Sequence, residues 1–98
     1  MLLRTQEDAS LELIAGTNPQ AVVHSPSGTT RIPLSAKHWQ ILALLASCPS
    51  GVALQELQQL WPAGTPNVTI RAEISRLRSK LHGLIASRPY RLVVPVVT

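Results

Sequence analysis

The residues of this 98-residue chain that could do chemistry are concentrated in its last third. Residues 70–98 carry six Arg or Lys side chains and one acid, Glu73, whereas residues 1–69 carry three basic side chains and four acids. The net charges of the two parts are therefore +5 and −1. A basic region attached to a nearly neutral remainder is typical of a surface that binds a polyanion. A solvated helix face with surplus Arg is the alternative that charge alone leaves open.

The other reactive side chains form no recognisable catalytic or metal-binding set. The three histidines, His24, His38 and His82, fall on different predicted elements, and Cys48 is the single cysteine. Their spacing is not that of zinc ligands, and one cysteine cannot form an internal disulfide. The sequence also contains no nucleophile motif and no glycine-rich phosphate loop. We therefore expect a protein that is not an enzyme and that binds no metal and no cofactor.

The basic region contains the clearest helical pattern in the chain. Apolar residues recur at i, i+4, i+7, i+11 and i+14, namely Ile70, Ile74, Leu77, Leu81 and Leu84. This spacing places them on one face and predicts a helix over about residues 66–82. Thr65 or Asn67 is expected to cap its start, and Gly83 to supply the left-handed residue that closes it.

The opposite face of this helix combines arginines with small side chains. At 100° per residue, the far side carries Ala72, Ser75, Arg76 and Ser79 with Thr69 beside them, and one flank carries Arg71 and Arg78. Small residues let a helix approach a groove closely, and Arg binds guanine or phosphate. Glu73 lies three residues before Arg76 and could pair with it, which favours the solvated-face alternative.

The elements before and after this helix are short. Strand-like segments at 11–15, 21–24 and 29–32, separated by turn residues at 16–19 and 25–28, predict an antiparallel β-meander with one buried face. A first helix is expected after the N-cap Ser35 and a second over about 54–60. Residues 84–94 predict a β-hairpin with Arg88 at its tip. The expected class is α+β, with the order strands, helix, helix, basic helix, hairpin of a winged helix-turn-helix.

Two strings carry a resemblance to a known family, ISRLRSKL at residues 74–81 and ASRPYRL at residues 86–92. The first resembles the recognition helix of OmpR/PhoB-type winged-helix DNA-binding domains. With VTIRAEISRLR at 68–78, the pair is more closely similar to the C-terminal domain of GAF-containing bacterial transcription regulators. The resemblance spans about residues 11–94. The chain departs from the family pattern in two places, with His38 where an acid often stands and with a shorter hairpin tip at residues 87–89.

The resemblance implies sequence-specific binding of double-stranded DNA, with the helix in the major groove and the hairpin as a wing. It makes Arg76 the base-reading candidate and Arg88 the wing contact. Thr69, Ser75 and Arg78 become contacts to the DNA backbone or base edges; Arg71 stands where the family often has an acid. Ser79 of the outward face completes the predicted DNA-binding set, which has seven residues. The rival hypothesis is a winged-helix protein-interaction module that docks an acidic partner.

The remaining expectations concern the context of the domain. Residues 1–10 are predicted to be a linker or disordered lead-in, and residues 11–98 the winged-helix domain. The longest apolar stretch, residues 41–46, is too short to span a membrane, and no secretory leader is evident. We expect a cytoplasmic effector domain joined to an N-terminal sensor domain, working with RNA polymerase and able to dimerise on DNA.

Overall fold

The computed structural model describes residues 9–81, 83–87 and 89–97. It begins with three strands, β1 (Ser10–Ile14), β2 (Gln20–Ser25) and β3 (Gly28–Pro33), which pair antiparallel in sequence order. The predicted meander is confirmed, as is the α+β class. Ala9 is already buried and Ser10 begins β1, so the sheet starts inside the segment 1–10.

One face of the sheet packs on the core, and the side chains that form it come from alternate positions along β1 and β2. Leu11 pairs with Val23 and Leu13 with Ala21, which places these four on the same side. Leu11 and Ala21 are fully buried there. Glu12 points to the other side, where its Oε1 lies 3.1 Å from His24 Nε2.

Three helices follow the sheet: α1 (Ala36–Ser47), α2 (Leu54–Leu57), which continues as a 3₁₀ helix over Gln58–Leu60, and α3 (Asn67–Lys80). Ser35 caps α1 as predicted, since its side-chain oxygen accepts a hydrogen bond from the His38 backbone N–H at 3.1 Å. Gly83 has a φ of 86°, the left-handed conformation expected after the end of α3.

The predicted cap of α3 is wrong. The N-cap position is Pro66, which makes no side-chain cap, and Asn67 is already the first helical residue. Thr65 belongs instead to the turn before the helix, where its backbone N–H donates to the Pro62 carbonyl at 3.2 Å. There its hydroxyl donates to the Pro62 carbonyl at 2.7 Å, while Asn67 Oδ1 accepts from the side chain of Gln58.

One hydrophobic core joins the sheet to all three helices. Its most deeply buried side chains are Leu11, Ala21, Ile41, Leu42, Leu45, Val52, Leu57, Ile70 and Leu77. From α3 the core receives Ile70, Ile74 and Leu77, with Leu81 just after the helix. The predicted apolar stripe is therefore the face by which α3 is fixed to the protein.

A second, smaller sheet follows α3. Strands β4 (Ile85–Ala86) and β5 (Arg91–Leu92) pair antiparallel, which confirms the predicted hairpin pairing. Val52, just before α2, joins them through an antiparallel bridge to Tyr90, with N–H to carbonyl distances of 2.8 and 3.0 Å. This bridge holds the hairpin beside the start of α2.

The last strand returns to the N-terminal sheet. β6 (Val96–Val97) pairs in parallel with β1, so the full strand order is β3-β2-β1-β6. The Leu11 N–H donates to the Pro95 carbonyl at 2.9 Å at this edge. No sequence signal predicted this strand, because its partner β1 lies at the other end of the chain, whereas β4 and β5 are joined by a short turn. Within the described part of the chain, no helix is long and apolar enough to cross a membrane.

Candidate nucleic-acid interface

The outward face of α3 presents most of the predicted DNA-binding set to solvent. Because Ile70, Ile74 and Leu77 are held in the core, the opposite side of the helix is left exposed. The exposed members of the set are Thr69, Arg71, Ser75, Arg76, Arg78 and Ser79. The seventh member, Arg88, lies outside the described residues.

Arg71 and Arg78 border a cleft of about 660 Å³ between α3, the start of α2 and the hairpin. They are seven residues apart, so they lie two turns and about 10 Å apart along one flank of α3. The other walls are formed by residues 52–54 and by Ser87, Pro89 and Tyr90. Among the described residues that line this cleft there are two guanidinium groups and no carboxylate. An anion entering it would meet two positive charges against a neutral wall.

The hairpin side of this cleft is held in place by close packing around Gly51. Gly51 has a φ of 114°, and a Cβ added there would lie 2.3 Å from Pro89 Cγ. Any other residue at this position would therefore push the hairpin turn away from α2. Glycine lets the two segments approach, and the neighbouring bridge between Val52 and Tyr90 then fixes their spacing.

The other flank of α3 carries a connected set of polar side chains. Arg76 Nη1 donates to Glu73 Oε2, and Glu73 Oε1 lies 2.9 Å from Nε2 of His38 on α1. The second ring nitrogen, His38 Nδ1, lies 3.2 Å from Lys80 Nζ. We call these four residues the His38 network. It joins α1 to α3 by polar contacts.

Charge and hydrogen bonding keep Glu73 ionised. The hydrogen bond with His38 holds the pKa of the Glu73 carboxyl below its ordinary value, and the positive charge of Arg76 acts in the same direction. Partial burial raises the pKa but is outweighed. The side chain of Glu73 is 29% exposed, while that of Arg76 is 64% exposed. The pairing of Glu73 with Arg76 that its spacing allowed is therefore present, and Arg76 still reaches solvent.

Sequence reasoning missed the role of His38. It treated His38 only as a departure from a capping pattern, whereas the side chain is 6% exposed and contacts two residues of α3. The available signal was its position: residues 38, 41, 42 and 45 share one face of α1, and that face is buried. Among the described residues, no group of three His, Cys, Asp or Glu side chains is placed to hold a metal ion.

Comparisons with known proteins show a similar sequence but no family. No family profile matches the chain, and no solved structure matches it. The chain is 46% identical over 74 residues to an uncharacterized 47.3 kDa protein in the thcA 5' region of Rhodococcus erythropolis. That alignment covers 72% of this chain and 17% of the relative. The chain therefore spans less than a fifth of the length of the relative that it matches.

Proposed function

We propose that this chain is a winged-helix module that binds double-stranded DNA, with α3 in the major groove and the β4–β5 hairpin as the wing. The observation that carries the proposal is the cleft beside α3, where Arg71 and Arg78 line one wall and the hairpin the other. A helix with Arg at its flanks and small side chains between them can enter a groove about 12 Å wide and contact its phosphates.

The proposed contacts divide into two kinds. Arg71 and Arg78, on the flank that faces the hairpin, are placed to neutralise phosphates, because two charges about 10 Å apart can meet a strand at two points. Arg76, on the opposite flank, is the proposed base reader, and Ser75, Ser79 and Thr69 lie along the same exposed surface. In this proposal the module serves as the cytoplasmic effector end of a longer bacterial transcription regulator. The much greater length of the Rhodococcus relative supports that arrangement.

Salt-dependent binding to duplex DNA tests the proposal directly. Fluorescence anisotropy with a labelled duplex of two helical turns, about 20 bp, is measured from about 50 to 200 mM salt. Each phosphate contact contributes about 0.9 to the slope of log K against log salt. We therefore expect Arg71→Ala and Arg78→Ala each to reduce the slope by about 0.9. The ratio of wild-type affinity to variant affinity should then fall roughly 3- to 4-fold as the salt concentration rises over this range.

Arg31 provides a matched control. It is an exposed arginine on β3, where its Nη1 lies 3.5 Å from Gln20 Oε1, and it belongs to neither α3 nor the hairpin. Arg31→Ala should leave the slope unchanged. An equal loss in Arg31→Ala, Arg71→Ala and Arg78→Ala would show a general charge effect and refute the proposed interface. Failure of every duplex to bind at about 100 mM salt would refute DNA binding and favour an acidic protein partner.

A further inference from the structure

His38 is buried although it is polar, and both of its ring nitrogens contact α3. The residue lies on α1 and is 4% exposed, and the other buried residues of that helix are Ile41, Leu42 and Leu45. A buried polar group is costly unless its donors and acceptors are satisfied. Glu73 and Lys80 supply both partners. Glu73 and Lys80 of α3 thus set the orientation of the His38 ring. The ring in turn orients the carboxylate of Glu73.

The chemistry of the partners assigns the direction of each hydrogen bond. An ammonium group is a donor only, so Lys80 donates to Nδ1 of His38, and the ring proton must be on Nε2. His38 Nε2–H therefore donates to Glu73 Oε1. This leaves Glu73 Oε2 to accept from Arg76 Nη1. The buried ring thereby holds one oxygen of the carboxylate and leaves the other directed at Arg76.

We infer that His38 and Glu73 are positioning residues that set the sequence specificity of Arg76, an inference that rests on the proposed function. Arg76 has five N–H donors, and its bond to Glu73 uses one of them. The other four make no hydrogen bond to the described residues, and a guanidinium binds guanine O6 and N7 with two parallel hydrogen bonds. A guanidinium already held in one orientation loses less rotational freedom when it meets the correct base.

The same carboxylate also repels DNA, so removing it has two opposite effects. Glu73→Gln deletes a negative charge beside the phosphates, and we expect affinity for a non-specific duplex to rise a few-fold at low salt. It also releases Arg76, and we expect the ratio of specific to non-specific affinity to fall by roughly tenfold, within the range that one bidentate contact supplies. A residue with only a structural role would not move the two quantities in opposite directions.

Glu12 provides the matched control for this substitution. Its Oε1 lies 3.1 Å from His24 Nε2, so it forms the same kind of carboxylate–imidazole pair on the N-terminal sheet. Glu12→Gln removes the same charge, and we expect no change in the specificity ratio.

Two His38 variants separate positioning from folding. His38→Gln keeps one donor and one acceptor and is expected to retain most of the ratio, whereas His38→Leu keeps the bulk but neither polar group and should lower it roughly tenfold. Urea midpoints of both variants establish that they are folded. The mobility of the Arg76 guanidinium, measured by NMR relaxation of its Nε–H group without DNA, should increase in Glu73→Gln and His38→Leu but not in His38→Gln.

The DNA measurement compares the duplex that wild-type protein enriches from a random pool with a scrambled duplex of the same composition. If the wild-type protein binds duplex DNA and Glu73→Gln has the same ratio of specific to non-specific affinity, this inference is overturned and the proposed function stands. Enrichment of no sequence by a protein that binds duplex overturns it as well. Absence of any duplex binding overturns the proposed function itself. Unchanged Arg76 mobility in both Glu73→Gln and His38→Leu refutes the positioning role independently of DNA.

Discussion

Replacing Gly51 with alanine should force the β4–β5 hairpin away from α2. Gly51 lies just before Val52, which is bridged to Tyr90, and it has a φ of 114°. A Cβ at this position would lie 2.3 Å from Pro89 Cγ and 2.7 Å from Pro89 Cβ. The proline ring cannot rotate away as a flexible side chain could, so the backbone on one side must shift.

Two costs add in this variant, and a second glycine separates them. An L-residue at positive φ costs about 1–2 kcal/mol, and overpacking of a close contact costs about 1–3 kcal/mol. Gly16 has a φ of 126° and no atom within 4 Å of an added Cβ, so Gly16→Ala carries only the first cost. Both substitutions reduce the freedom of the unfolded chain equally. Gly51→Ala should therefore be about 1–3 kcal/mol less stable than Gly16→Ala.

Urea denaturation followed by tryptophan fluorescence measures this difference as a shift in midpoint at constant m-value. In a thermal melt it corresponds to roughly 4–8 °C for each kcal/mol in a domain of this size. Because the hairpin forms one wall of the Arg71–Arg78 cleft, Gly51→Ala should also weaken duplex binding, and Gly16→Ala should not. Equal stability of the two variants would refute the argued clash with Pro89.

Two further predictions concern α1 and the His38 network. Ser35→Ala removes the α1 cap and should lower the free energy of unfolding by about 1 kcal/mol. The control Ser47→Ala deletes a hydroxyl at the exposed end of the same helix and should change that free energy by less than about 0.5 kcal/mol. Equal losses in the two urea midpoints would contradict the capping role of Ser35. The His38 hydrogen bond and the Arg76 charge lower the pKa of Glu73 in the folded protein. Ionised Glu73 therefore stabilises the fold at pH values above the ordinary carboxyl pKa of 4.5. This stabilisation is lost as the pH falls through the lower pKa of the folded state. The urea midpoint of wild type should exceed that of Glu73→Gln near neutral pH and converge with it below pH 4.5; a difference independent of pH would contradict this assignment.

Much of the candidate site followed from helical periodicity. The apolar stripe through Ile70, Ile74 and Leu77 determined which side of α3 is buried, and hence which side is exposed. The grouping of Arg71 with Arg78 on one flank followed from the same 100° rotation. The wall that faces them could not be predicted, because it depends on the bridge between Val52 and Tyr90, residues far apart in the chain.

The sequence by itself determined the elements whose signals are local. The alternation in β1 and β2, the cap at Ser35 and the left-handed Gly83 each depend on the conformation of a few neighbouring residues, so the residue types specify them. The start of α3 is a local feature that was nevertheless wrongly predicted, because the Thr65 hydroxyl bonds to the Pro62 carbonyl and does not cap the helix.

Only the tertiary structure decided which distant groups meet. His38 contacts Glu73 across 35 positions and Lys80 across 42, and β6 pairs with β1 at the opposite end of the described chain. Such contacts are stabilised by burial and by hydrogen bonds that form only after the core has assembled, so no local pattern specifies them. The +5 charge of residues 70–98 was evident from composition. The packing of α1 and the hairpin against α3 decided how this charge is arranged. Arg71 and Arg78 line a cleft, while Arg76 is held by Glu73.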